Sequence, residues 1–276
     1  MCGLIGFSGK QNANVNIIKK IMKANEARGK HSSGYYGAEQ IVKVIGTTKT
    51  LHKKLNNTKT KILIGHTRHK THGKISLENQ HPFKFNNVIG AHNGVVYNYE
   101  EVGKKFNLKK TEVDSQMIFK VLNKTKDIRN LGKFNNSLAT LFTMDGRKLY
   151  AYRKNNPLWV GKSSNGDLYF SSLKDVLLEC NLQSIFQLLE GRLYIFNEGK
   201  LLYKKDIQHD PVASKHNYGY KNWWEYDDDK DDSPTVYSYN KNKLKISKPY
   251  KKKEMCENLQ SRNRTLWDVM GLRNPK

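Results

Sequence analysis

The chain opens MCGLIGFSG, with a thiol immediately behind the initiator. Its second residue is small, so removal of Met1 is expected. Cys2 would then carry a thiol and a free α-amine on one carbon. An unperturbed α-amine titrates at about 7.7–8.0 and a thiol at about 8.5. The amine can therefore take a proton near neutral pH, directly or through a water. Nucleophile and general base then reside in one residue, the cysteine counterpart of a threonine activated by its own amine.

Three later stretches combine chemistry-capable side chains with glycine. GHTRHKTHG at 65–73 carries Arg68, Thr71 and His72 out of a strand and into a loop. AHNGVVYNYEE at 91–101 places Asn93 and Gly94 at an expected strand-to-helix corner. TEVDSQ at 111–116 puts Asp114 at a helix start, where N-terminal amides stabilise a carboxylate. His66, His69 and His72 recur every third residue, but on a strand-to-loop segment that spacing does not align side chains. No metal site is expected from them, and no cofactor.

Elements must hold these residues. LIGF reads as a short buried strand, and KILIGHTRH and NNVIGAHNGVV as two more. NVNIIKKIMKANEARG has helical spacing at Val15, Ile18, Ile21 and Met22, ending near Gly29. Tyr35 to Ile45 alternates like one strand. YNYEEVGKKF, DSQMIFKVLNKT and LKDVLLEC read as helices. NSLATLFTMD, KLYAYRK, LWVGKS and DLYFSS read as a meander turning at MDGR and SNGD. IFQLLEGRLYIFNEGKLLYK closes with strands. Helices and strands come in blocks, which argues for α+β layers with largely antiparallel sheets.

The 276 residues include 37% hydrophobic ones, enough for a core. The sequence has no apolar run of the ~18 residues a membrane span needs and no basic-then-apolar leader. Three widely spaced cysteines, Cys2, Cys180 and Cys256, suit a reducing compartment, so a cytoplasmic location is expected. The net charge of +24 predicts attraction to polyanions, whether nucleic acid, nucleotide or an acidic protein. Its bland counterpart is a general enrichment in lysine. From about residue 206 periodicity gives way to an acidic run at 227–232 and a lysine-rich run at 241–253. Residues 206–276 are expected to form a charged, partly disordered extension.

Together the motifs resemble the class II glutamine amidotransferases, an N-terminal-nucleophile family, and look most like the glutaminase domain of glucosamine-6-phosphate synthase. The matching stretches are MCGLIGFSG, RGKHSSG (28–34), GHTRHKTHG, HPF (81–83), HNGVVYNYEE and TEVDSQ, in that order. RKNNPLWVGKSSNGDLYFSS and LLEGRLYIFNEGK also fit, so the resemblance spans residues 2–205. It implies a four-layer αββα sandwich and hydrolysis of L-glutamine. By position, Cys2 matches the nucleophile, and Asn93 with the Gly94 amide the oxyanion hole. Arg68 matches the clamp on the substrate α-carboxylate, and Asp114 the partner of its α-ammonium. Thr71 and His72 fall in the loop that closes over glutamine, and Arg28 in a supporting position.

Two departures stand out. The family has an aromatic and a small residue after the clamp arginine, where this chain has His69 and Lys70, and an aspartate where it has His31. No P-loop or dinucleotide-binding glycine pattern follows residue 205. Ammonia is therefore expected to pass to a separate synthetase partner. The competing expectation is a polyanion-binding protein on an inactive amidotransferase scaffold, with salt-sensitive nucleic-acid binding and no glutaminase activity.

Overall fold

The computed structural model of the protein describes residues 2–70 and 73–209. Thr71, His72 and the extension from residue 210 onward lie outside the described residues. Two antiparallel sheets face each other. The first holds β1 (Gly3–Ser8), β2 (Ser32–Gly37), β3 (Gln40–Ile45), β4 (Ile62–Arg68), β9 (Trp159–Lys162), β10 (Leu168–Ser171) and β11 (Gln183–Gln187), in the order β11-β9-β10-β1-β4-β2-β3. The second holds β5 (Phe83–Phe85), β6 (Val88–Val96), β7 (Asn136–Thr143), β8 (Leu149–Lys154), β12 (Arg192–Asn197) and β13 (Lys200–Asp206), in the order β13-β12-β8-β7-β6-β5.

Alternation along each strand decides the layering. On β1, Ile5 and Phe7 join an outer core with Ile18, Ile21 and Met22 of α1 (Val15–Asn25). Leu51 and Leu55 of α2 (Lys49–Leu55) and Val176 and Leu177 of α5 (Asp175–Glu179) complete that layer. The opposite parity turns inward, where Gly6 lies beside Leu141 of β7 and Phe170 meets Phe196 at 5.2 Å. On the far side, Met117, Ile118, Val121 and Leu122 of α4 (Asp114–Thr125) pack on Val88, Phe142 and Leu193, with α3 (Tyr99–Lys105) alongside. The result is the four-layer αββα sandwich.

Three details differ from the sequence expectations. Tyr35–Ile45 is a hairpin, with Gly37 paired to Gln40 and both Ala38 and Glu39 at positive φ. The expected meander is divided between sheets, β7 and β8 in one and β9 and β10 in the other. Helix α2 had no counterpart in the sequence reading.

Helix α4 carries Asp114 as its first residue and is anchored by fully buried Phe119. Phe119→Ala is expected to cost about 3–5 kcal/mol, since it leaves a cavity under the helix. Urea unfolding measures this as a lowered midpoint.

Candidate active site

Register places Cys2. Gly3 pairs with Thr67 across the β1–β4 ladder, so Cys2, one residue earlier, falls beside Arg68 at the strand end. Cys2 shares the inward parity of Leu4, and Arg68 that of Ile64 and His66. Two further contacts fix the cysteine. Arg28 Nε donates to its carbonyl at 2.7 Å. The Cys2 Sγ lies 3.4 Å from both the backbone N–H and the carbonyl of His69.

Arg68 is buried, and its Nη1 donates to the Lys74 carbonyl at 3.0 Å. Asp114 is also buried. Its Oδ2 accepts from the Val96 N–H at 2.8 Å and its Oδ1 from the Ser115 N–H at 2.8 Å. Its helix cap is Val113, which offers no side-chain hydrogen bond, so Asp114 serves as an acceptor in the first turn rather than as a cap.

Asn93 and Gly94 lie within β6, not at the expected corner. The physical reason is that Gly94 adopts φ +147° without leaving the ladder. A Cβ there would stand 2.0 Å from the Ser137 carbonyl, so glycine alone fits. Asn93 is 1% exposed, and its Nδ2 has no hydrogen-bond partner among the described residues. Its backbone carbonyl is held by Asn156 Nδ2 at 2.8 Å. A buried donor left unmade costs about 1–3 kcal/mol. Val88 and Val96 of β6 pack under α4, so by strand parity Asn93 lies on the opposite face, toward the first sheet.

Charge follows from burial. Desolvation pushes the Cys2 thiol up from its ordinary value, opposed by the His69 N–H, the amino-terminal charge and Arg68, and assisted by Asp114. Burial lowers Arg68, while Cys2, Asp114 and Glu112 favour its charged form. The thiol is therefore favoured in its protonated form at neutral pH.

Behind these groups is a buried histidine column that the sequence reading did not identify. His66 and His81 stack at 4.0 Å. His66 Nε2 lies 3.1 Å from the His92 carbonyl and so carries its proton, while the bare His66 Nδ1 has no partner among the described residues. His81 Nδ1 accepts the His92 N–H at 3.0 Å. His92 Nδ1 lies 2.8 Å from Ser115 Oγ, itself 3.2 Å from Asp114 Oδ1. The column thus ties β4 to β6 and both to the start of α4. A clue was available in GHT and AHN, where a histidine follows an apolar stretch, and in HPF at 81–83.

Among the described residues, no group of three or more His, Cys, Asp or Glu side chains could hold a metal ion. No described helix is long and apolar enough to cross a membrane. Cys2 and Cys180 are free thiols.

The histidine column makes stability depend on pH. Burial holds His66 down to about 3, His81 well below its ordinary value, and His92 below it despite Asp114. In the unfolded chain each takes up a proton near pH 6.5, roughly. Below that pH the unfolded state binds protons the folded state does not, so stability falls as pH drops. Each such proton contributes a slope of about 1.4 kcal/mol per pH unit. Urea unfolding between about pH 7.5 and pH 5 reads that slope, and His66→Gln is expected to make it shallower.

No protein-family model matches the chain. In sequence it is 29% identical over 237 residues to the glutamine–fructose-6-phosphate aminotransferase (isomerizing) of Clostridium acetobutylicum, covering 76% of this chain and 39% of that protein. The Campylobacter jejuni protein of the same name is 30% identical over 229 residues, covering 75% of this chain and 38% of that one. The chain therefore spans about two-fifths of the length of these relatives. In structure it matches a glutamine phosphoribosylpyrophosphate amidotransferase from B. subtilis complexed with ADP and GMP. The TM-score is 0.64 at 19% identity, covering 76% of this chain and 50% of that one. A structure titled the allosteric regulatory enzyme of purine biosynthesis matches with TM-score 0.64 at 20% identity, covering 76% and 50%.

Proposed function

We propose that this chain, a relative of the class II glutamine amidotransferases with the N-terminal-nucleophile sandwich fold, hydrolyses L-glutamine through Cys2. The observation that carries the reading is the buried, unpartnered Asn93 Nδ2, on the face of β6 opposite the one that Val88 and Val96 bury under α4. Removal of Met1 frees the α-amine. The amine takes the thiol proton, directly or through a water, as sulfur attacks the side-chain amide carbon. Negative charge then develops on the amide oxygen, where Asn93 Nδ2 and the Gly94 N–H receive it. The carbon–nitrogen bond breaks as the amine returns its proton to the leaving group, giving ammonia and a glutamyl thioester on Cys2. Water attacks the thioester by the same route and releases glutamate and the thiol.

Substrate grip follows from charge. The Arg68 fork suits the α-carboxylate of glutamine, and the buried Asp114 carboxylate suits its α-ammonium. Arg28 supports Cys2 by holding its carbonyl. Thr71 and His72, outside the described residues, are proposed to close over the bound amino acid. Ammonia is delivered to a synthetase partner, and the net charge of +24 suits a partner or substrate rich in acidic or phosphate groups. A cytoplasmic location accords with the free thiols at Cys2 and Cys180.

Glutamate release from glutamine tests the reading. Cys2→Ala is expected to abolish turnover, and Asn93→Ala to reduce kcat about 10²–10³-fold with a smaller effect on KM. Undiminished turnover in Cys2→Ala would contradict it. Arg68→Lys keeps the charge but loses the fork, and is expected to raise KM more than it lowers kcat. Salt-sensitive nucleic-acid binding without glutaminase activity in the wild-type protein would favour the polyanion-binding reading instead.

A further inference from the structure

Residues 28–31 run against the end of β4 at backbone contact distance. A Cβ on Gly29 would stand 2.4 Å from the Arg68 carbonyl carbon and the His69 nitrogen. His31, at the end of this segment, is locked in its main chain on both sides. Its N–H donates to the Arg68 carbonyl at 3.0 Å, and its own carbonyl accepts from the Gly46 N–H at 2.8 Å. From that fixed base its ring reaches over the next two residues of the loop. The ring lies 4.8 Å from that of His69, tilted by 31°, and its Nδ1 accepts the Lys70 N–H at 2.8 Å. His69, held between Arg68 and Lys70, supplies both backbone contacts to Cys2 Sγ.

We propose that His31 is a positioning residue for the nucleophile and an acid-sensitive latch on the loop after Arg68, holding the His69 peptide against Cys2 Sγ only while its Nδ1 is unprotonated. A proton on Nδ1 would oppose the Lys70 N–H, donor against donor, and release the loop. The thiol would then lose the His69 N–H that stabilises its anionic form. The charged and titratable groups that act on the ring are Lys70, Arg68, the His69 ring and, while Met1 is attached, the amino-terminal charge. Burial first, and then the Lys70, Arg68 and amino-terminal charges, keep His31 neutral to below its ordinary range, so the latch is closed at neutral pH. The kinetic part of this inference rests on the glutaminase reading. The structural part does not.

The test compares full-length wild type with His31→Asn and His31→Ala. An asparagine Oδ1 offers an acceptor near the place of Nδ1 and does not titrate. Two quantities are followed from about pH 8 to pH 5: kcat/KM for glutamine, and hydrogen-exchange protection of the Lys70 amide. The wild type is expected to fall relative to His31→Asn as the pH drops below the ordinary histidine range, the gap levelling off at about the three- to tenfold cost of losing the latch. His31→Ala is expected to lower kcat/KM by about three- to tenfold near pH 8, as loss of one hydrogen bond does. The asparagine variant is expected to recover most of that loss. Equal steepness in wild type and His31→Asn overturns the proposal, as does full activity in His31→Ala. If the wild type turns over no glutamine, the glutaminase reading fails and the Lys70 amide decides. Protection lost below about pH 6.5 in wild type and retained in His31→Asn supports the latch, and equal protection in both overturns it.

Discussion

The pairing of β1 with β4 is the constraint from which the candidate site follows. Register in an antiparallel ladder has a period of two, so a slip of one residue would turn every side chain to the other face. With Gly3 set against Thr67, the same parity that buries Ile5 and Phe7 under α1 sends Cys2, Leu4, His66 and Arg68 between the sheets. The terminal residue of a chain is ordinarily loose. Cys2, next to that residue, is held: Arg28 donates to its carbonyl and His69 flanks its sulfur. Hydrophobic burial of one face of a strand thus positions the Cys2 thiol on the other.

The second sheet contributes by a different device. Asn93 stays in the ladder of β6 while its side-chain donor is left unmade, and Gly94 takes a backbone conformation that any Cβ would block. Both features cost stability, and the histidine column that joins β4 to β6 costs it as the pH falls. These features fall together in one region, beside β6 and the start of α4. The dense apolar layers under α1 and α4 provide the compensating burial.

Much of this was legible in the chain. LIGF, KILIGHTRH and NNVIGAHNGVV are short, buried and bounded by polar turns, so β1, β4 and β6 announced themselves. So did α1 and α4, whose apolar residues recur at helical spacing. The motif pattern also named the sandwich. Other features carried no local signal. The β2–β3 hairpin turns at Ala38-Glu39, both at positive φ, where asparagine and glycine are the usual markers. Helix α2 has only Leu51 and Leu55 to show against a run of lysines and threonines. Gly94 reads as a corner because glycine usually punctuates; only the Ser137 carbonyl across the ladder shows why it stands inside a strand. His31 was visible as a departure from the motif, but its role depends on the Lys70 N–H, a contact across 39 positions.

The central claim is that Cys2 becomes a free N-terminal nucleophile in a glutamine-shaped site. Intact mass and peptide mapping of the purified protein, before and after 6-diazo-5-oxonorleucine, test it most directly. The account predicts that Met1 is absent and that a single adduct forms on Cys2, suppressed by excess glutamine. Retained Met1 with no adduct, or an adduct carried on Cys180 instead, would contradict it.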